Sequence, residues 1–321
     1  MSISVLMPIY NCADYLMASL SSVLKQTFQD FEIIIVDNES TDDPLSIIKS
    51  FNDSRIKYYS IERLSLANTL NTGLAKCNFD IVARLDADDL MANTRLEKQY
   101  KSFKNSSENL ILSSWYAIFE NNKILYTVRT STVDAQIKKR LALHSEIIHS
   151  GVMYNKNFIL ENGGYDPQVK IEDYELWLRL SSKAEFRNIP EYLSFVRYRQ
   201  NSISWSNIEK KNIEIYHYQE KYFSDKYLSY LGYKTFNEQN IVKGWREYFY
   251  GDKKKARKFW KVNNILTNAR IAAAFPVTFI SKHLLEKFKE SRMKFRLKYY
   301  FTFFSSVNIN LRKEFSNLIL K

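Results

Sequence analysis

Over roughly the first hundred residues, short runs of β-branched and apolar residues alternate with stretches in which apolar positions recur every three or four residues. The first pattern suits strands and the second amphipathic helices. Strands are predicted at Ser4–Pro8, Phe31–Val36, Ile56–Ser60 and Asp80–Leu85, and helices at Ala13–Gln26, Pro44–Asn52 and Leu66–Lys76. Regular strand-helix alternation argues a parallel sheet, in which each helix carries the chain back to start the next strand. In such open sheets ligands collect beyond the carboxyl ends of the strands. The polar groups falling there are Tyr10 and Asn11 after the first strand, Asp37 to Thr41 after the second, and Asp86, Asp88 and Asp89 after the fourth.

Farther along, residues 107–132 alternate apolar and polar positions and predict added strands, followed by a helix over Asp134–Leu143. Gly163, Gly164 and Tyr165 form a turn ahead of a helix at Ile171–Leu180 that carries Glu172, Asp173 and Trp177. Beyond Ser204 the pattern turns helical, tyrosine-rich and basic, with KKKARK at Lys253–Lys258 and KFKESRMKFRLKYY at Lys287–Tyr300. The change predicts two domains, residues 1–204 and 205–321, with no internal repeat.

A chain of 321 residues that is 45% apolar has ample material for a core, which excludes disorder as its main state. The formal charge of +12 changes the picture only through its location. From Trp205 onward there are 24 Lys and Arg against 10 Asp and Glu, whereas the first 204 residues carry 23 against 25. A polyanionic partner, whether nucleic acid or an anionic membrane, therefore concerns the tail alone. MSISVLMPIYN lacks the layout of a secretory signal, and Ile265–Ile280, interrupted by Asn268, Arg270 and Pro276, is shorter than the roughly 20 residues of a spanning helix. With only Cys12 and Cys77 available for one bridge, a cytoplasmic protein with free thiols is expected.

Seven glycines allow neither G-x-G-x-x-G nor a glycine-rich loop ending in Gly-Lys-Ser or Gly-Lys-Thr. A nucleoside diphosphate bound by this sheet would need another source of positive charge. A divalent cation held by Asp86, Asp88 and Asp89 is one, since three carboxylates this close repel unless something separates them. Oxygen ligands favour Mn²⁺ or Mg²⁺, and the histidines at 144, 149, 217 and 283 have no cysteine-rich set to suggest zinc. The competing reading is a solvated turn that caps the next helix through Asp89 or Asn93.

Four motifs in order give the chain its resemblance. ISVLMPIYN, IIIVDNESTD, ARLDADD and GGYDPQVKIEDYELWLRL resemble the opening strand and P-x-Y-N turn, the V-D-D-G-S-T-D segment, the D-x-D region and the G-G-Y-D plus E-D-x-x-L-W segment of family 2 glycosyltransferases, over about Ile3 to Ser204. The resemblance implies an α/β GT-A fold, a Rossmann-like nucleotide-diphospho-sugar transferase domain, here followed by a basic, mostly α-helical extension. It also implies roles. Pro8, Tyr10, Asn11, Asn38, Ser40 and Arg84 fall on the nucleotide-sugar site, Asp37 holds base or ribose, Asp86 meets the ribose and Asp88 the metal. Asp173 matches the base that takes the acceptor hydroxyl proton during inversion, and Glu172 and Glu175 leave the helix at other angles. His149, Gly164, Tyr165, Glu172 and Trp177 fall on the acceptor side, with core packing the alternative for Trp177 and His149. For Asp37, Ser40, Thr41 and Asp42 the alternative is helix capping.

Two departures stand out. Glu39 and Ser40 replace the family's G-S, so Asn38 is the residue expected to tolerate positive φ. FVRYRQNSIS resembles Y-R-x-H-x-x-S-x-S with Arg199 in place of the histidine, making Arg197 and Arg199 diphosphate candidates against a plain surface-charge reading.

The function these features imply is an inverting, metal-dependent glycosyltransferase, hexosyl- or N-acetylhexosaminyl-, that uses a nucleotide-sugar donor, UDP favoured, and a glycan or lipid-linked acceptor in capsule, O-antigen or exopolysaccharide (lipopolysaccharide-type) synthesis. It would work as a peripheral protein on the inner membrane face, the basic aromatic tail meeting the anionic leaflet. Processive synthesis is disfavoured because the chain has neither spanning helices nor Q-x-x-R-W. Nucleic acid is not an expected partner, as no nucleic-acid signature accompanies the charge. The rivals are a non-catalytic binding protein, which would be expected to lose Asp88 or Asp173, and a nucleotidyltransferase, which would place glycine and lysine where this chain has YNCADY.

Overall fold

The computed structural model describes residues 2–199, 208–222, 224–260 and 271. They fall into two compact units, one of Met1–Ile137 with Ser145–Gln200, the other of Lys138–His144 with the described residues from 208 on. The tail segment at 287–300, that at 265–280 apart from Ile271, and the expected boundary at Ser204 lie outside the described residues.

The first unit is built on β1 (Ile3–Ile9), β2 (Phe31–Asn38), β3 (Ile56–Ile61) and β4 (Ile81–Arg84), joined by α1 (Ala13–Leu24), α2 (Pro44–Ser50) and α3 (Leu66–Lys76). All four strands are parallel, in the order β3-β2-β1-β4. β1 and β2 are buried at every position, because a parallel sheet covered on both faces leaves no solvent side for polar alternation. Met7, Leu16, Leu20, Ile33, Ile35 and Ala83 belong to the core between sheet and helices. Gly73 lets α3 lie against the sheet, since a Cβ there would fall 2.2 Å from Leu6 Cδ1. Ser65 caps α3 by accepting from the Asn68 N–H.

The sheet then changes direction. β8 (Met153–Asn155) runs antiparallel to β4 and to β6 (Leu110–Glu120), and β6 pairs in parallel with β9 (Glu185–Arg197). β5 (Leu90–Met91) closes the far edge against β9, and β7 (Lys123–Val128) forms a hairpin with β6. This half is what the sequence reading left thin. β9 was not predicted, because Pro190 and a run of half-exposed positions break its alternation where its register against β6 shifts. The remaining helices of the unit are α4 (Arg95–Phe103), the first part of α5 (Asp134–Leu141), α6 (Lys156–Glu161) and α7 (Glu172–Leu180). Cys12 and Cys77 are both free and buried.

In the second unit, α8 (Ile208–Tyr222), α9 (Asp225–Tyr230), α10 (Phe236–Phe249) and α11 (Lys253–Phe259) accompany Lys138–His144. Ala142, Leu228, Leu231 and Val242 form its core, with Gln219 Nε2 donating to the Ala142 carbonyl and Tyr250 OH to that of Leu143. Trp245, Tyr248 and Trp260 meet edge-on or tilted in an aromatic cluster with Ile271, and Thr235 with Glu238 makes a reciprocal capping box at α10. Among the described residues no helix is long and apolar enough to cross a membrane.

Candidate active site

The carboxyl ends of β1 and β2 are stitched together. Asn11, held at φ 47°, accepts from the Thr41 N–H through Oδ1 and donates its own N–H to Ser40 Oγ, and two residues on the Ala13 N–H donates to Asp42 Oδ2. Asp37 is buried and accepts from the Ser40 N–H at 3.0 Å and from Tyr58 OH at 2.5 Å. Neither it nor Ser40, Thr41 or Asp42 caps α2, because Asp43 does so, accepting from the Ser46 N–H. The positive φ expected at Asn38 belongs instead to Glu39, at 64°. Asn38 is a strand residue whose side-chain amide clamps the backbone of Leu64, so its own torsion stays extended within β2. Pro8 is buried inside β1, while Tyr10 is 47% exposed under the guanidinium of Arg63, which also donates to the Asn38 carbonyl.

β4 ends on Arg84, and the chain turns through Asp86 to Asp89 before β5. The ligating oxygens of Asp86, Asp88 and Asp89 lie within 4.8 Å of one another. Each already has a positive or donor partner. Arg84 Nη1 is 2.5 Å from Asp86 Oδ2, Arg199 Nη2 is 2.6 Å from Asp88 Oδ2, and the Arg197 N–H donates to Asp89 Oδ1 at 2.8 Å. Ser150 bridges the turn, its hydroxyl accepting from the Asp86 N–H and bonding the Asp89 carboxylate. Burial, followed by the charge of Asp86, pushes the Asp88 carboxyl above its usual range, and Asp89 goes well above for the same kind of reason. The capping alternative fails, since α4 starts at Thr94 with no side-chain cap from Asp89 or Asn93. An all-oxygen cluster of crowded carboxylates fits a hard divalent cation such as Mn²⁺ or Mg²⁺. Arg197 and Arg199 come to this cluster instead of lying on open surface, both over the Tyr15 ring, with Arg197 Nε donating to the Asp88 carbonyl.

On the other side, Asp173 is half-buried in the first turn of α7, with Oδ1 accepting from the Tyr174 N–H. Glu175 points elsewhere and pairs with Arg179, which also donates to the Gly164 and Asn162 carbonyls and so holds the glycine turn. Gly164, at φ 61°, leaves no room for a Cβ beside Asn71, whose amide bonds both N–H and carbonyl of Tyr165. Tyr165 OH meets His149 Nε2 at 3.0 Å and Tyr154 OH at 3.1 Å. Glu172 is buried with Oε1 3.6 Å from His149 Nδ1. Burial and then the Asp173 charge push it up to about 8, while burial and then Arg84 push His149 well below its usual value. The two are therefore neutral neighbours at pH 7, and the spacing is too long for a hydrogen bond. Trp177 has no exposed surface and stands edge-on to His149 and Phe186. For Trp177 this favours the packing alternative, and Tyr165 and His149 are buried as well.

Sequence reasoning missed Arg95. Fully buried, it donates to the carbonyls of Ser150 and Arg84 and to Gln99 Oε1, tying the β4 end to the short helical turn His149–Gly151. Burial, then Arg84, lowers it to about 9. At the start of an amphipathic helix an arginine normally signals solvent, and nothing in its spacing announced otherwise. Ser150, Asn71 and Arg63 were missed for the same want of a local signal.

The acidic turn and the carboxylate at the start of α7 stand on segments whose sequence resembles one protein family, and comparison with known proteins decides it. Residues 4–162 match the profile described as Glycosyl transferase family 2, and the O-antigen biosynthesis glycosyltransferase WbnJ of Escherichia coli is 33% identical over 183 residues, 56% of this chain and 71% of that protein. The chain belongs to glycosyltransferase family 2. This family 2 enzyme is also 30% identical over 237 residues to the UDP-Gal:alpha-D-GlcNAc-diphosphoundecaprenol beta-1,3-galactosyltransferase of Escherichia coli, covering 71% of this chain and 85% of that one. Its fold is that of S. aureus TarS 1-349 in complex with UDP-GlcNAc, at a TM-score of 0.60, 16% identity and coverage of 86% and 82%. The mannosyltransferase PcManGT from Pyrobaculum calidifontis in complex with GDP-Man and Mn²⁺ superposes with a TM-score of 0.55 at 15% identity, over 99% of this chain and 86% of that one. The GT-A-like mixed sheet thus carries a glycosyltransferase of the polysaccharide-building kind.

Proposed function

We propose that this family 2 enzyme transfers a sugar, with inversion, from a UDP-sugar to a hydroxyl of a glycan or lipid-linked glycan in surface-polysaccharide assembly. The observation that carries the reading is that one short helical turn touches both carboxylate groups. Ser150 Oγ accepts from the Asp86 N–H of the acidic turn, and the adjacent His149 faces Glu172, next to Asp173, at 3.6 Å. This supports reading the donor side and the base side as one site.

In this reading Asp37 and Tyr10 hold the nucleoside, with Asn11, Asn38 and Ser40 keeping the two loops in register. A divalent cation on Asp88, with Asp86 and Asp89 beside it, supplies charge neutralisation of the departing diphosphate. Arg197 and Arg199 contribute fixed positive charge at that end. Asp173, half-buried at a helix start, takes the acceptor proton, and the neutral, buried Glu172 adds no second negative charge to compete with it. UDP is favoured because UDP-Gal is named for one relative and UDP-GlcNAc is bound in a structural neighbour, although another neighbour holds GDP-Man. The diphosphoundecaprenol acceptor named for the galactosyltransferase supports a lipid-linked acceptor.

Residues 1–204 then form the catalytic domain and 205–321 a basic extension. In its described part, Lys254, Lys255 and Lys258 are exposed, as are Phe236, Phe249 and Tyr230. Cationic groups with exposed aromatics suit the anionic inner face of a cell membrane, each surface Lys or Arg contributing about 1 kcal/mol. The test is binding and turnover of UDP-, GDP- and dTDP-sugars with Mn²⁺, Mg²⁺ or EDTA. Asp88→Ala should lose donor binding, and Asp173→Asn should keep it but lose turnover. Failure of every donor to bind with any metal would overturn the enzyme reading.

A further inference from the structure

Asp88 is gripped from two directions. Its carboxylate receives Arg199 Nη2 at 2.6 Å, and its carbonyl receives Arg197 Nε at 2.8 Å. The Asp88 side chain is only 16% exposed, and the guanidinium lies on its Oδ2. Arg199 is itself held over the Tyr15 ring, and its Nε is buried with no hydrogen-bond partner. A buried donor left unsatisfied can take an additional acceptor. Asp86 pairs with Arg84 and Asp89 with the Arg197 N–H, so the carboxylate of Asp88 is the one met by the side chain of Arg199, two residues beyond β9.

We propose that Arg199 is a built-in counter-ion that occupies Asp88 in the donor-free protein and passes to the nucleoside diphosphate when it binds, so that the divalent ion and the diphosphate bind cooperatively. The inference rests on the reading of Asp88 as a metal ligand. Arg199 Nη2 sits on Oδ2 alone, yet a divalent cation taken on Oδ1 of the same carboxylate would lie close to the guanidinium and be repelled by its like charge, and the planar fork of arginine matches phosphate oxygens at least as well as a single carboxylate. Binding of either metal or diphosphate then removes the obstacle to the other, which is a coupling free energy between two ligands and must be reciprocal.

The experiment is titration of the purified full chain with Mn²⁺ alone, and again with UDP at saturation, following free Mn²⁺ by electron paramagnetic resonance. Wild type is compared with Arg199→Gln, Arg199→Lys and Asp88→Asn, with each variant's thermal midpoint recorded. Wild type should bind Mn²⁺ weakly alone and about tenfold or more tightly with UDP, the range set by loss of one charge-assisted contact. Arg199→Gln should bind Mn²⁺ alone roughly tenfold more tightly than wild type and gain less from UDP than wild type does, each titration with UDP being read against UDP and Mn²⁺ without protein. Arg199→Lys, a point charge without the fork, should fall between them, and Asp88→Asn should bind in neither condition. Wild type binding Mn²⁺ alone as tightly as Arg199→Gln would overturn the counter-ion while leaving the metal reading intact. No Mn²⁺ binding by wild type or Arg199→Gln, with or without UDP, would overturn both.

Discussion

Glu172 gives the sharpest test of the electrostatics at this site. Its carboxyl is raised from 4.5 to about 8, by burial first and by Asp173 second, against smaller opposing help from Arg84. Because the folded value exceeds the unfolded one, the native state holds the proton over that interval. The stabilising contribution of that proton is complete below pH 4.5, declines as pH rises, and is gone above about 8. At pH 7 the interval already crossed is two and a half units, which at 1.36 kcal/mol each costs about 3 kcal/mol. Glu172→Gln keeps the shape of the neutral acid and removes the titration. The variant should therefore match wild type near pH 4.5 and exceed it progressively, by up to about 3 kcal/mol at pH 7. Urea unfolding followed by tryptophan fluorescence at pH 5, 6, 7 and 8 measures the difference. Asp88 and Asp89, also raised, titrate in both proteins and cancel, and His149, 3.6 Å away, is held neutral in this range by burial. Two stability curves that stay parallel across the range would refute a buried, protonated Glu172.

Further perturbations reach other parts of the argument. Arg95→Met should destabilise by about 3 kcal/mol in urea, because the buried carbonyls of Arg84 and Ser150 lose their donors, and donor affinity should fall with it as Ser150 loosens. Gly73→Ala should cost about 1 to 3 kcal/mol, since its methyl would meet Leu6 Cδ1, and adding Leu6→Val should recover part of the loss. Burial pushes the thiols of Cys12 and Cys77 up to about 12, so Ellman's reagent should find neither in the native protein and both in urea. Tyr58→Phe removes the 2.5 Å bond to Asp37 and should weaken nucleotide binding several-fold in calorimetry without altering Mn²⁺ binding.

Much of this enzyme was determined by the sequence alone. The apolar runs of β1, β2 and β4 are so continuous that a doubly covered parallel sheet is the economical way to bury them, and strand ends then specify where polar residues converge. Ordered local motifs accordingly pointed to the family and to Asp37, Asp88 and Asp173. The tertiary structure decided what depends on partners distant in the chain. β9 exists because β6 offers it an edge, although Pro190 spoils its local pattern. Whether an arginine faces solvent or the core cannot be read from its spacing, and Arg84 and Arg95 are buried because backbone carbonyls and Asp86 meet them there. Trp177, Tyr165 and His149 sit on the expected segments, yet packing turned them inward. The pairing of Arg199 with Asp88 joins residues more than a hundred positions apart, and charge interactions of that kind are set by distance and burial, which only the folded chain defines.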